Sequence, residues 1–301
     1  MAKRKNGRDI HGVLLLDKRL GVSSNRALQE VKHLFNANKA GHTGSLDPLA
    51  SGLLPICFGE ATKVSGFMLD DDKRYQVVVR LGVVTDTGDA EGQVLKTRPV
   101  PPLSEDEILA CLKRFTGDIE QVPPMYSALK LNGKKLYELA RQGKSVERKA
   151  RPITIYKINL LKFQEPLLTL DVWCSKGTYI RTLAEDVGEH LGCGGTVIEL
   201  RRLASGRFVI DEAKSIEQLQ AMSESELMNC LIPVDKPIDS IPAVDLSEEQ
   251  ANSIKQGQSL TLKNSLEGPV RMYTGRQFLG LGEMFLDGKL APKKLFNMSP
   301  S

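Results

Sequence analysis

Residues 41–55 read GHTGSLDPLASGLLP, running from Gly41 to Pro55. Gly41, Gly44 and Pro48 fall within its first eight positions, which makes that half a shaped loop. Leu46 and Leu49 are the side chains that can pin the loop to a core. Asp47 precedes Pro48, whose ring biases the residue before it towards an extended conformation. A carboxylate held in that way can be presented rigidly to a pocket. The residues alone leave a second reading open, in which Asp47 only caps the next turn with its side chain, as loop aspartates often do.

Outward from the loop, Gly12 to Leu16 reads as a short buried strand. Ser23 or Ser24 can cap a helix whose apolar residues Ala27, Leu28, Val31 and Leu34 share one face. Tyr75 to Leu81 reads as a strand, followed by a turn-rich run from Thr85 to Asp89. Ser104 with Glu107 makes a capping box ahead of Ile108, Leu109, Leu112 and Phe115. Residues 153–163 and 167–174 look like two strands joined at Pro166. Ile180, Leu183, Ala184, Val187 and Leu191 line one face of a helix that Gly192 can stop. Ser215 with Gln218, and Ser247 with Gln250, form two further capping boxes. This order is mixed rather than a regular alternation of strand and helix, and predicts an α+β fold. Pro233 to Pro242 reads as a linker. The helix and short strands beyond it, with turns at Thr274-Gly275 and Asp287-Gly288, read as a small β-rich appendage.

The chain has 301 residues, 41% apolar and 26% charged, the profile of an ordinary folded protein. Its five cysteines are far apart and form no CxxC pair, which argues against a disulfide framework or a zinc cluster and fits a reducing cytosol. The apolar run from Gly12 ends at Asp17, too short for a secretory signal, and no stretch reaches the length of a membrane span. No GxxxxGK[ST], strand-linked GxGxxG or GxSxG is present, and the four histidines have no metal spacing. The expectation is chemistry without metal or cofactor, or no chemistry. Charge is unevenly spread. Residues 1–8 carry four cations and no acid; residues 121–151 carry eight cations against Glu138 and Glu147; residues 211–250 carry ten acids against two cations. A basic block can bind a polyanion with strong salt dependence, although a solvated face reads the same way.

The loop resembles the catalytic motif of the TruB family, the bacterial tRNA pseudouridine-55 synthases. Six more stretches follow that family in order: GVLLLDK from Gly12, KRY ending at Tyr75, the run from Leu81 through Thr85 and Thr87 to Gly92, VPPMYSA from Val122, KGTYIR from Lys176, and LRRL from Leu200. The likeness covers about residues 11–210 and weakens beyond them. Arg19 stands where many members have proline.

The resemblance implies a pseudouridine synthase fold, with a mixed, largely antiparallel sheet flanked by helices and loops. It implies a catalytic domain over residues 1–242 and a small PUA-like, RNA-binding β-barrel over 243–301. The implied reaction isomerises uridine 55 in the T-loop of tRNA to pseudouridine. Asp47 is the implied nucleophile, and attack on the sugar, attack on the base and assisted elimination all stay open. Tyr75 is the implied active-site tyrosine and Arg181 the partner of Asp47. His42 lies beside the flipped nucleotide, Tyr179 and Leu200 match pocket positions, and Lys18 supports the loop. The basic segment becomes an RNA-gripping insertion, with Lys130, Lys134, Lys135, Arg141 and Lys144 as phosphate contacts and Gly133 and Gly143 as hinges. Lys289, Lys293 and Lys294 suit a phosphate surface. The expected partner is tRNA, for a cytoplasmic monomer using no guide RNA, membrane, metal or cofactor. The alternatives are a non-catalytic RNA-binding or tRNA-folding protein of the same fold, and the catalytic subunit of a guide-RNA complex.

Overall fold

The computed structural model describes residues 7–131, 133–263 and 266–298. The basic residues Lys3, Arg4 and Lys5 lie outside them, as does the side chain of Lys135. A ten-stranded sheet forms the body. Its main path runs Lys214–Ser215, Gly12–Lys18, Ala50–Phe58, Gly195–Ser205, Lys73–Leu81, Leu167–Cys174, Arg151–Gln164 and Gly117–Gln121. Two neighbouring pairs on this path are parallel, 12–18 with 214–215 and 50–58 with 195–205, and the rest are antiparallel. The mixed α+β order read from the sequence is therefore the observed one.

Why Gly12–Lys18 is continuously apolar is now plain, because both of its faces are covered. Leu14 and Leu16 point into a core shared with Ala27, Leu28 and Val31 of the helix Ser24–Leu34. Val13 and Leu15 point the other way, against Leu53, Cys57 and Phe208. A further core lies under the helices Glu105–Arg114 and Ile180–His190, where Ile108, Leu112, Leu183 and Val187 meet Val77, Val79 and Leu170. Tyr75 and Leu200 pack against both this core and the one beneath Ser24–Leu34. They mark the seam on which the candidate site sits.

The three expected capping boxes are present, with a fourth, Ser223 with Glu226, that the sequence reading passed over. Ser23 is the cap of its helix, accepting from the Arg26 N–H at 3.2 Å. Ser24 is turned inward for another purpose, described below.

The C-terminal part forms a five-stranded sheet, ordered Ala243–Asp245, Gly268–Thr274, Gln277–Met284, Lys289–Leu295 and Leu260–Thr261, with the helix Glu248–Lys255 against it. The turns at Thr274-Gly275 and Asp287-Gly288 do close its two hairpins. Pro233 to Pro242 is not a free spacer. Val234 and Ile238 are each 2% exposed, in a core with Phe278, Leu281 and Phe296. The reason is amphipathic: two apolar side chains among the prolines find the face where both sheets meet. Lys63 Nζ donates to the Leu295 carbonyl at 2.7 Å and the Asn297 N–H to Glu60 Oε2 at 2.9 Å, tying the sheets together. Lys294 donates to the Lys63 carbonyl at 2.9 Å, so the structure gives it an internal partner where a phosphate contact was expected. Lys289 and Lys293 remain exposed. All five cysteines are free thiols, and no described helix is long and apolar enough to cross a membrane.

Candidate active site

The loop from Gly41 is held from below by hydrogen bonds to its backbone. The Leu46 N–H donates to Ser24 Oγ at 2.7 Å, and that hydroxyl donates back to the Leu46 carbonyl at 2.9 Å. The Gly21 N–H donates to the Pro48 carbonyl at 2.8 Å. Leu46 is 5% exposed, so the pin expected from its side chain exists. Gly44 has a φ of 69°, a conformation that favours glycine, and rests on the Arg202 guanidinium. The turn after Asp47 is closed by that residue's main-chain carbonyl, which accepts from Ala50 at 3.0 Å. Its side chain is free for Arg181, which sets aside the reading of Asp47 as a mere cap.

Ser24→Ala tests the pin. It leaves the buried Leu46 N–H without an acceptor, at a cost of about 1–3 kcal/mol. The expected outcome is a lower melting temperature in a thermal scan, with loss of activity exceeding the small population unfolded at the assay temperature.

Asp47 Oδ2 lies 3.1 Å from Arg181 Nη2, with the Asp47 side chain 49% exposed and that of Arg181 only 8%. Arg181 is on the first turn of its helix, and its fork is fully used. Nη1 donates to the Thr87 carbonyl at 2.9 Å and lies 3.3 Å from Asp89 Oδ2; Nη2 donates to the Tyr126 carbonyl at 2.7 Å. Asp89 is buried and immobilised, with Oδ1 accepting from Thr87 Oγ1 at 2.7 Å and from the Glu91 N–H at 3.1 Å. One guanidinium thus joins two carboxylates of different character: Asp89 is locked inside, and Asp47 opens to the cleft. Asp89 was not singled out from the sequence. The signal available was its place after Thr87 in a run already matched.

Tyr75 enters from the strand Lys73–Leu81. Burial pushes its phenol above the ordinary value, with the Arg202 charge pulling the other way. Arg202 is 1% exposed, and its Nε and Nη2 donate to the carbonyls of Leu53 and Gly44 at 2.7 and 2.8 Å. Among the described residues no carboxylate is in ion-pair contact with it. It is a fixed positive charge beneath the loop, and it too was missed, although its LRRL motif was read.

His42, on the short strand Ala40–His42, is half-buried, and its Nδ1 is buried without a hydrogen-bond partner. Burial, then the Arg202 charge, lower its pKa, so the ring is neutral at pH 7. Tyr179 immediately precedes the Arg181 helix. Its N–H donates to Gln121 Oε1 at 2.8 Å and its carbonyl accepts from Gln121 Nε2 at 3.1 Å. Lys18 is 1% exposed and donates to the carbonyls of Arg19 and Val22 at 3.0 and 2.7 Å, bracing the turn that holds Pro48. Burial pushes its amine down to about 8, with the Asp47 charge pulling the other way. Arg19 itself makes a two-pronged surface pair with Glu30 at 2.9 and 3.0 Å.

The basic segment folds as a small hairpin, Lys130–Leu131 with Lys134–Lys135, and the helix Leu136–Arg141. Lys130, Lys134, Arg141 and Lys144 are exposed, and the guanidinium of Arg141 lies 5.4 Å from the centre of the Tyr137 ring. They do not join the cluster at Asp47.

Structural comparison gives the fold. The chain superposes on a chain of a Cbf5-Nop10-Gar1 complex with a TM-score of 0.71 at 24% identity, covering 95% of this chain and 85% of that one. A chain from an H/ACA RNP bound to a substrate RNA containing 2'-deoxyuridine gives 0.70 at 23%, covering 99% and 92%. Both share the fold of this chain. Sequence comparison then gives the family. The model described as TruB family pseudouridylate synthase (N terminal domain) matches residues 32–180, and two TruB C-terminal models match 181–239 and 242–296. The protein named tRNA pseudouridine synthase B from Actinobacillus pleuropneumoniae is 54% identical over 98% of this chain and 99% of its own length. The one from Nitrosococcus oceani is 54% identical over 97% of each. The chain belongs to the TruB family of pseudouridylate synthases and is an isomerase.

Proposed function

We propose that this enzyme converts uridine 55 in the T-loop of tRNA to pseudouridine, acting on a base that has turned out of its stack. The observation that carries this reading is the Asp47–Arg181 pair, open on one side and placed at the seam with Tyr75 and Leu200. Arg181 counters the carboxylate and aims it, as a nucleophile requires. In the net reaction the bond from ribose C1′ to uracil N1 breaks, the ring rotates, and C5 bonds to C1′. C5 loses its proton and N1, freed from the sugar, gains one, so atoms and electrons balance without redox change. Asp47 bonds covalently and leaves again, dividing the reaction into easier steps. The buried phenol of Tyr75 stays protonated, so it enters as a neutral ring that stacks on uracil and as a hydrogen-bonding hydroxyl. The neutral His42 and the pocket sides at Tyr179 and Leu200 receive the extruded nucleotide, whose unstacking costs a few kcal/mol.

The exposed cations of the 121–151 insertion contact phosphates of the stem-loop, and the C-terminal sheet serves as a PUA-like RNA-binding unit with Lys289 and Lys293 outward. The enzyme works in the cytoplasm as a single chain, without guide RNA. The direct test is unmodified tRNA with purified protein alone: pseudouridine forms at position 55, whereas a binding protein leaves uridine. Replacing both Lys134 and Lys144 with alanine is expected to weaken tRNA binding and flatten its salt dependence, by up to about 0.7–0.9 in the log–log slope for each phosphate no longer neutralised. A binding titration from low to high salt checks this, and an unchanged slope makes these lysines a solvated face.

A further inference from the structure

We propose that Glu185 and Arg148 form an ion pair when the basic insertion closes on RNA, locking the insertion to the helix that carries Arg181. This rests on the reading of residues 121–151 as the segment that grips RNA. Neither residue touches the reacting atoms; both are positioning residues.

Glu185 lies one helical turn beyond Arg181 on Ile180–His190. Its carboxyl is packed against the loop that feeds Arg181. A Cβ at Gly88 would stand 2.4 Å from Glu185 Oε1, so the carboxyl lies directly against this glycine, whose φ is 73°. Among the described residues no donor or cation is in contact with this carboxyl. Arg148 stands near the far end of the insertion. Its Nη1 donates to the Pro123 carbonyl at 3.0 Å, but its Nε is buried without an acceptor. Arg181 takes the carbonyl of Tyr126, three residues along the same segment. The two arginines thus both donate to carbonyls of one short stretch.

Glu185 lacks a donor and Arg148 Nε lacks an acceptor, and each of these half-buried groups feels the other's field. An unsatisfied buried N–H bears its full desolvation penalty, so a movement that brings the two together is favoured once RNA draws the insertion inward. The charged groups facing Glu185 are Asp186 and Arg181 from its own helix, Asp89 from the adjoining loop and Arg148 from the insertion. Burial, with Asp186 adding to it, pushes the carboxyl up to about 7. The sign follows: below that value Glu185 is neutral and cannot pair, and above it the ionised form attracts Arg148. The lock is present at pH 8 and released at pH 6.

Amide hydrogen exchange of residues 133–147, in the full chain bound to a T-arm stem-loop RNA and normalised for intrinsic rates, reads the lock. RNA-induced protection is expected to be greater at pH 8 than at pH 6 in the unsubstituted chain. Glu185→Gln and Arg148→Gln each lower it at pH 8 by roughly 3- to 10-fold, and the double variant loses no more than either alone. Additive losses, or full protection in Glu185→Gln at pH 8, overturn the proposal. The free chain gives a second check. A carboxyl whose folded pKa is raised destabilises the fold as pH climbs from the ordinary carboxylate range through about 7. Glu185→Gln therefore melts above the unsubstituted protein at pH 8 and nearly with it at pH 5. A lower melting point at pH 8 means that Glu185 already has a partner, and the lock falls. Pseudouridine formation is scored separately: isomerisation without the lock overturns only the lock, and RNA bound but never isomerised overturns only the catalytic reading.

Discussion

Asp47→Asn abolishes pseudouridine formation and leaves RNA binding within a few-fold. The substitution keeps the shape of the side chain and the Asp47 carbonyl that closes the turn with Ala50, so the loop survives. What disappears is the charge. An amide oxygen is a poor nucleophile and leaving group, and loss of a covalent catalyst's attacking atom lowers the rate by more than about 10⁴-fold. On the proposed reading binding rests on cations elsewhere, and removal of one negative charge near a polyanion does not weaken it. The measurement is single-turnover conversion of unmodified tRNA at saturating enzyme, beside filter binding of the same RNA. Measurable turnover by this variant, at even a hundredth of the normal rate, ends the assignment of Asp47 as nucleophile.

A stable fold also follows from this substitution. Asp47 is half-exposed, and Arg181 keeps Asp89 and two carbonyls when the Asp47 charge is gone. The melting temperature is therefore expected to change little, which separates a chemical loss from a structural one.

How much of this was legible in the sequence differs between residues for physical reasons. Strands and helices with strong periodicity, such as Gly12–Lys18 and Ile180–His190, were readable because burial on one or both faces writes itself into local pattern. The same holds for the cap at Ser104, whose partner is three residues away. The Asp47–Arg181 pairing spans 134 positions of chain, and no local rule connects them. The resemblance to a family supplied that link. Asp89 and Arg202 escaped for a related reason. A buried charge reads in sequence like a surface one, and only the fold reveals that Arg202 is sealed under Gly44 and Leu53. Pro233 to Pro242 misled in the opposite sense. Its prolines signal a connection, but Val234 and Ile238 decide where the connection lies.

Arg181→Lys lowers the rate of pseudouridine formation by about 10²–10³-fold, because an ammonium cannot reproduce a planar fork. The guanidinium serves four acceptors from one position: Thr87 O, Asp89 Oδ2, Tyr126 O and Asp47 Oδ2. A lysine from the same helical turn is shorter and presents one nitrogen. The buried, hydrogen-bonded Asp89 has the stronger claim on it, since a carboxylate left unpaired inside costs more than one facing solvent. Asp47 then loses its counter-charge and its aim together. Arg181→Ala removes the cation altogether and strands Asp89, and its expected stability loss is about 3–5 kcal/mol. The lysine variant is thus the informative one. Its melting temperature falls modestly, its RNA affinity stays within a few-fold, and its single-turnover rate collapses. Adding Asp89→Asn to Arg181→Lys frees the ammonium from its stronger competitor and is expected to recover part of the lost rate. A double variant no faster than Arg181→Lys means that the geometry of the fork, and not competition for its charge, is what Asp47 needs.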